Sequence, residues 1–597
     1  MQKETRICQN CKQQFAIEPD DFSFYEKIKV PPPTFCWKCR AIRRMAFRNM
    51  RHLYARNCNA TGTKIYTLIP PREQMPVYEN RYWASDKWNP LDYGRDYDFS
   101  RPFFEQFREL YNSVPWGVMW SMDNVNSEYS QTAFSKNLYL CFDSGYAEDC
   151  SYGVTILYSK QCFDGVNLKD CELCYYSINT NQSFKTFFSR NCTACVDVWF
   201  SQDCIGCTNC FSCSGLRNKS YCIFNEQHDK QAYEEKLNEM KLDSWSGIKK
   251  ARELAESFWQ RSPVKFWHAV QVSRSSGDYL YNGAELVNCF FVGNAQNMRY
   301  CQSVIYPPNK DGMDVTSSEG TELAYETFTC GSGVRKTVGT VECANISDSY
   351  YSINCRQATN LFGCIALKSK NYCILNKQYS KEEYLELLPK IKKHMKDMPY
   401  VDDKGRVYGY GEFFPFDMSS HGYNRSQAFE YFPLTESEAR RMGYRWQSLE
   451  ERNYKITKSS ADLPDSIHEV GESILGEVIQ CEHEEIKKHP HECGIDCASA
   501  FRITKQELDF YKTMKLPLPR MCFNCRHIDR IKWRNQPELY HRTCACLSAS
   551  RQPPNAYRNT VEHFHGAGKC PNEFETTYAP ERPEIVYYEQ CYQAEVV

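Results

Sequence analysis

From Asn137 onward the apolar and polar positions fall into a fixed rhythm. Cys150, Cys171, Cys192 and Cys213 stand 21 residues apart, and a second ladder at the same interval runs Cys141, Cys162, Ser183, Cys204 and then Asn225. Phe142, Phe163, Phe184 and Ile205 follow the cysteine and serine members of that second ladder. Self-similarity at a fixed period marks a solenoid, and about twenty residues suit one coil of a parallel β-helix better than a helical repeat. The leucine-rich signature is missing, and short β-type runs alternate with Asp, Asn, Ser and Gly turns. The pattern therefore predicts a mainly β chain built on a parallel β-helix-like solenoid with 21-residue coils. Equivalent side chains would stack at roughly 4.8 Å, and cysteine fits such an internal ladder as a small apolar residue. The stretch "FSCSGLRNKSYCIFN" at 211–225 returns as "FGCIALKSKNYCILN" at 362–376, each followed by a polar helix. The solenoid is thus expected in two duplicated halves, 137–226 and 266–376, with a helical insert over 227–265.

The two ends of the chain repeat one another as well. Cys8-x2-Cys11, Phe22, Phe24-Tyr25 and Cys36-x2-Cys39-Arg40 recur 486 positions later as Cys497, Leu508, Phe510-Tyr511 and Cys522-x2-Cys525-Arg526. Two thiol pairs separated by a couple of dozen residues have the ligand count and spacing of a zinc site. Cys8, Cys11, Cys36 and Cys39 form the first predicted set; Cys493, Cys497, Cys522 and Cys525 form the second, with Cys481 and His483 as substitutes. A third set follows in Cys544, Cys546, Cys570 and Cys591, with His563 and His565 in reserve. Four thiolates close a tetrahedral ion against water, so the two to three Zn²⁺ sites are expected to be structural. Each would contribute roughly 10–16 kcal/mol to a module too small to hold itself together.

The 8–40 pattern is similar to the zinc-ribbon (treble-clef-like) family, in which two Cys-x2-Cys knuckles flank an F-x-FY and a proline. The whole layout resembles cysteine-rich zinc-ribbon proteins of candidate-phyla bacteria, which share closing runs like "CPNEFETTYAPERPEIVYYEQCYQ" and in which the Tyr588 position is usually cysteine. What the resemblance implies is zinc on the named cysteines; it implies no activity. The expected order is a zinc-ribbon module (1–60), an aromatic-rich connector (61–136), the solenoid halves around their insert, a helical and mixed linker (377–480), and a C-terminal zinc-ribbon module with the extra Cys/His cluster (481–597).

Charge changes the picture only locally. The chain carries 73 basic and 74 acidic residues, so its net charge favours no nucleic acid. Yet Arg40, Arg44 and Arg48 lie four apart on one helix face, and Arg526, Arg530 and Arg534 repeat them. Such arginines suit bidentate phosphate contacts, or else an internally salt-bridged helix answered by acids such as Glu79 or Asp86. No run of eighteen apolar residues exists to span a membrane. The start, MQKETRICQNC, has no apolar secretory core. The 33 cysteines are therefore expected reduced in a cytoplasm rather than paired in disulfides. These features point to a non-enzymatic, zinc-binding scaffold whose solenoid presents a surface to a protein partner, with zinc modules capping it. The alternative is an RNA- or DNA-associated protein using the arginine faces. A lesser alternative is a carbohydrate-active β-solenoid with stacked carboxylates such as Asp143 and Asp164.

Overall fold

The structure is a computed structural model that describes residues 2–304, 308–448, 454–483, 496–546, 557, 559–566, 568 and 570–596. It is strand-rich, with long parallel sheets and helical inserts, and its backbone repeats at a much shorter interval than the cysteine ladders suggest. From Asn137 to Asp203 every third residue has positive φ, including Asp149, Tyr152, Thr155, Tyr158, Gln161 and Asp164. The residue after each of these turns inward and is small or aliphatic: Cys150, Gly153, Ile156, Ser159 and Cys162 are all buried. Strands pair in parallel with the segment twelve residues on, as Val154 with Val166 and Val166 with Ile178. Asn167, Asn179, Asn191 and Asp203 make the matching external ladder, each amide donating to the next side chain at 2.9–3.1 Å.

The predicted 21-residue coil is therefore corrected. Twenty-one is seven times the three-residue burial period but not a multiple of the twelve-residue register, so the cysteine ladders visit successive inward positions without stacking. The inward cysteines also do more than fill space. The Cys162 amide donates to Cys150 Sγ at 3.3 Å, while Cys162 Sγ donates to the Lys160 carbonyl at 3.3 Å. Ser159 plays the same two roles, donating to Leu157 O and accepting from the Cys171 amide. Inward-pointing amides need an acceptor inside a narrow core; a thiol or hydroxyl supplies one at little volume.

Each left-handed non-glycine residue costs about 1–2 kcal/mol of local strain. The chain offsets it by placing Asn and Asp at many of these positions and by bonding successive levels through the backbone, as from Phe163 N to Cys174 O.

The chain folds into two compact units. One gathers Met1–Met119, Trp267–Gln447 and Gln536–Leu539; the other gathers Trp120–Phe266, Ser448–Asn535 and Tyr540–Val597. Each terminal cysteine module thus packs with the strand block more distant in sequence. In the first unit an eleven-stranded sheet runs from Ala269 to Gln378. Its twelve-residue register gains two residues at Ala295↔Asn309 and one at Ala324↔Thr337, so matching cysteines of the two blocks stand 148 apart before these insertions (Cys141 and Cys289) and 151 after them (Cys192 and Cys343). The helix Trp37–Met45 packs on the strands Asn309–Thr316 and Glu322–Phe328 in the middle of that sheet. The expectation that this module caps an end is thereby corrected.

Tyr25 meets Tyr325 edge-on at 5.6 Å. In the second unit the same contact recurs between Tyr511 and Tyr175, also at 5.6 Å, beside Phe510 stacked on Phe163 at 4.3 Å. Helix Lys505–Met514 starts at the Thr504/Glu507 capping box and stops where Lys515 turns left-handed; helix Pro19–Ile28 does the same with Glu18, Asp21 and Lys29.

Candidate metal centres

The first centre is built by a hairpin and a helix start. Strands Glu4–Ile7 and Gln14–Ile17 pair antiparallel, and the tight turn between them presents Cys8 and Cys11, with the Cys8 amide bonded to Gln13 O. Cys36 is the N-cap of helix Trp37–Met45, so Cys36 and Cys39 sit at the positive end of its dipole, which favours thiolate. The Cys36 amide donates to Cys8 Sγ at 3.3 Å, and Cys11 Sγ lies 3.7 Å from Cys36 Sγ. All four sulfurs lie within 4.8 Å of one another. Protons are shared unequally among them: contacts with Cys11 and Cys36 hold the Cys8 thiol far down, and contact with Cys36 brings Cys11 down to about 7. Contact with Cys11 pushes Cys36 and Cys39 well up. A divalent cation would hold all four sulfurs as thiolates, displacing the protons that remain on Cys36 and Cys39, and this donor set fits Zn²⁺ by type and number.

The second centre repeats this geometry with one altered ligand. Cys481, Cys497, Cys522 and Cys525 form the group. Cys481 stands where Cys8 stands: strand Ile479–Gln480 pairs with Ala500–Phe501, the Cys481 amide bonds Ser499 O at 2.9 Å, and the Cys522 amide donates to Cys481 Sγ at 3.2 Å. Fifteen residues separate Cys481 from Cys497 in sequence, where two separate Cys8 from Cys11. Cys493 lies outside the described residues. The signal for Cys481 was present in the sequence, since "ETRIC" at 4–8 is echoed by "EVIQC" at 477–481.

The third centre holds Cys544, Cys546, Cys570 and Cys591, and an overlapping group of Cys546, Cys591, His563 and His565 meets the same proximity limit. Cys546 lies 3.2 Å from Cys544 and from Cys591, and Cys570 lies 3.7 Å from Cys591. Contact with Cys546 draws the Cys544 thiol down to about 5, whereas burial lifts Cys591 to about 12. The Tyr588 amide donates to Cys544 Sγ at 3.2 Å; its counterpart in the other unit is the Glu79 amide on Cys58 Sγ at 3.3 Å. There the position matching Cys546 is Ala60, and Cys58 belongs to none of the ligand groups among the described residues.

The arginines behind the second knuckles are turned inward. Arg40 Nε bonds Asp314 at 2.8 Å; Arg44 reaches Asp314 at 3.2 Å and Glu326 at 2.8 Å; Arg43, which the sequence reading passed over, bridges Glu326 and Glu412. Arg48 is buried as well. In the other unit Arg530 bonds Asp164 at 2.7 Å, and Arg526 pairs with Asp164 at 2.9 Å, outside hydrogen-bonding angle, and with Glu507 at 3.7 Å. Arg526 and Arg530 also lie over the rings of Tyr152 and Tyr176. Arg534 is half-buried. Five of the six arginines named as phosphate contacts are thus enclosed by protein, because the same helix face that carries them carries the apolar contacts with the sheet. Asp143 and Asp164 do not stack either: Asp143 is level with Thr155 and Asn167 in the twelve-residue register, while Asp164 faces the arginines. The acids Asp164, Asp314, Glu326 and Glu507 are the residues that sequence reasoning missed in this role. Their signal was Asp164 and Asp314 standing 150 apart, beside Tyr175 and Tyr325 at the same spacing.

No family model matches the chain, and no curated protein matches it. A solved structure, a proposed acetyltransferase from Desulfovibrio desulfuricans G20, is 9% identical and covers 49% of this chain and 86% of its own, with a TM-score of 0.09; that likeness carries no argument. Among the described residues no helix is long and apolar enough to cross a membrane.

Proposed function

We propose that the protein is a non-enzymatic, zinc-stabilised scaffold: two solenoid blocks, each held on its flank by a zinc-ribbon module, offering a surface to a protein partner. The observation that carries this reading is the pairing of four-cysteine groups, buried except for the half-buried Cys11, with arginine–carboxylate clusters directly behind them. Four thiolates leave a zinc ion no open position for water or substrate, so the ions fix the helices and the helices fix the blocks. The twelve-residue parallel register reads as one solenoid coil per twelve residues, four inward positions to a level. An exposed aromatic ladder supports the binding role. Phe134 stacks on Tyr146 at 4.9 Å and Tyr146 on Tyr158 at 4.8 Å, with 40%, 51% and 48% of their surfaces exposed. Apolar rings held in line toward water are an unusual surface for a protein with no partner.

The nucleic-acid alternative loses its chief support with the enclosed arginines. The test is a pull-down from the native host with and without nuclease, using the intact chain and a Tyr146→Ser/Tyr158→Ser variant. The scaffold reading expects specific proteins retained after nuclease and lost from the variant. Capture that disappears with nuclease and falls steeply with salt would transfer the function to nucleic acid.

A further inference from the structure

We propose that the third cysteine centre is binuclear, with Cys546 and Cys591 bridging two divalent ions of the zinc class. Cys544 and Cys570 would complete one ion and His563 and His565 the other. The two overlapping ligand groups share those two sulfurs and no others. Each ion then has four ligands, the number a tetrahedral N/S site takes, whereas a single ion would leave two of six converging donors idle.

One nitrogen of each histidine is held by an acceptor; the other nitrogen of His565 faces a cluster sulfur, and that of His563 carries a long Asn559 contact that an ion would replace. His565 Nδ1 lies 3.0 Å from Gly568 O. A carbonyl only accepts, so the proton sits on Nδ1, and the Nε2 lone pair is aimed at Cys546 Sγ, 3.2 Å away. His563 Nε2 lies 3.0 Å from Glu595 Oε2, and Asn559 Nδ2 approaches His563 Nδ1 at 3.5 Å. Glu595 is itself fixed by the Tyr557 hydroxyl and the Thr560 amide, both at 2.6 Å. The His563 and Glu595 side chains are 1% and 0% exposed. A buried carboxylate–histidine pair beside sulfurs is the outer-shell device that orients and strengthens metal-ligating imidazoles.

The third centre differs from the other two in donor number: it alone among the described groups adds two imidazoles to its four sulfurs, enough for a second ion and not merely for a fourth ligand. The insert that carries the histidines is present beside the thiols and absent from the short Cys58–Lys64 turn of the other unit, whose matching position is Ala60.

The experiment is native mass spectrometry of the full chain reconstituted with zinc, together with its cobalt form. Four ions per chain are expected, two in the tetrathiolate centres and two here, and the bridged cobalt pair should show exchange coupling. His563→Ala/His565→Ala should lose one or both ions of this centre while the other two centres serve as internal reference. Three ions in the native chain, an unchanged count in the histidine variant, or four ions without cobalt coupling (the fourth then adventitious) would each overturn the proposal.

Discussion

Replacing Asp164 by Asn is the most informative single change in the second unit. Asp164 is fully buried and its two oxygens face two guanidinium groups, Arg526 at 2.9 Å and Arg530 at 2.7 Å. The amide keeps the shape and removes the charge, leaving Arg526 with Glu507 at 3.7 Å and both arginines with the tyrosine rings beneath them. Removing one member of a buried charge cluster costs about 3–5 kcal/mol, because the remaining charge stays desolvated. Since each 1.4 kcal/mol is about a factor of ten, native-state hydrogen exchange of helix Phe523–Ile531 should accelerate by about two to three and a half powers of ten. Asp314→Asn is the companion change: there Arg44 keeps Glu326 at 2.8 Å, but buried Arg40 loses its Asp314 bond and keeps the Phe35 carbonyl and the Tyr300 ring. Its cost should fall in the same range, about 3–5 kcal/mol. An Asp164→Asn effect under about 1 kcal/mol, the size of an exposed pair, would refute the docking argument.

Three further outcomes follow from the geometry. Cys481→Ser should lose the second ion by elemental analysis while Cys493→Ser keeps it, since Cys481 fills the Cys8 role. His421 is buried and flanked by the positive charges of Arg72, His52 and Arg445; burial above all draws its pKa down to about 3. Between the unfolded value of about 6.5 and that value only the unfolded chain takes up the proton, so its contribution is complete above pH ~6.5 and lost as pH falls towards ~3. His421→Gln should flatten the urea-denaturation stability profile over that window relative to the native chain. Finally, the block cysteines are free and buried, so thiol labelling should be slow in the native state and rapid in denaturant without reductant; thiols that stay blocked until reductant is added would show disulfides instead.

The terminal modules were the legible part of the sequence. Their ligands are covalently local, a knuckle being two cysteines in one turn, so spacing alone placed Cys8, Cys11, Cys36, Cys39, Cys522 and Cys525. The third cluster was legible for the same reason of ligand density. Cys481 was read only as a substitute, because fifteen residues separate it from Cys497 and the nearer Cys493 satisfied the spacing. The repeat itself was legible as a repeat, but its interval was misread: Cys141, Cys150, Cys162 and Cys171 alternate gaps of nine and twelve, and only pairing in space distinguishes a coil from a sum of triplets. The fate of the arginines was illegible because it depends on Asp164, Asp314 and Glu326, hundreds of residues away, and on each module joining the more distant strand block. In-register recurrence told that Arg40 and Arg526 mattered; burial told why.

The central claim is that bound metal holds each module and that each module, through its arginines, holds a strand block. Hydrogen exchange of the full chain, metal-loaded against chelator-stripped, tests it most directly. The account predicts that stripping removes protection together from helices Trp37–Met45 and Phe523–Ile531 and from the backbone they contact, strands Asn309–Thr316 and Glu322–Phe328 in one unit and the positions around Tyr152, Asp164 and Tyr176 in the other. Protection of those helices and strands that survives complete removal of metal would contradict it.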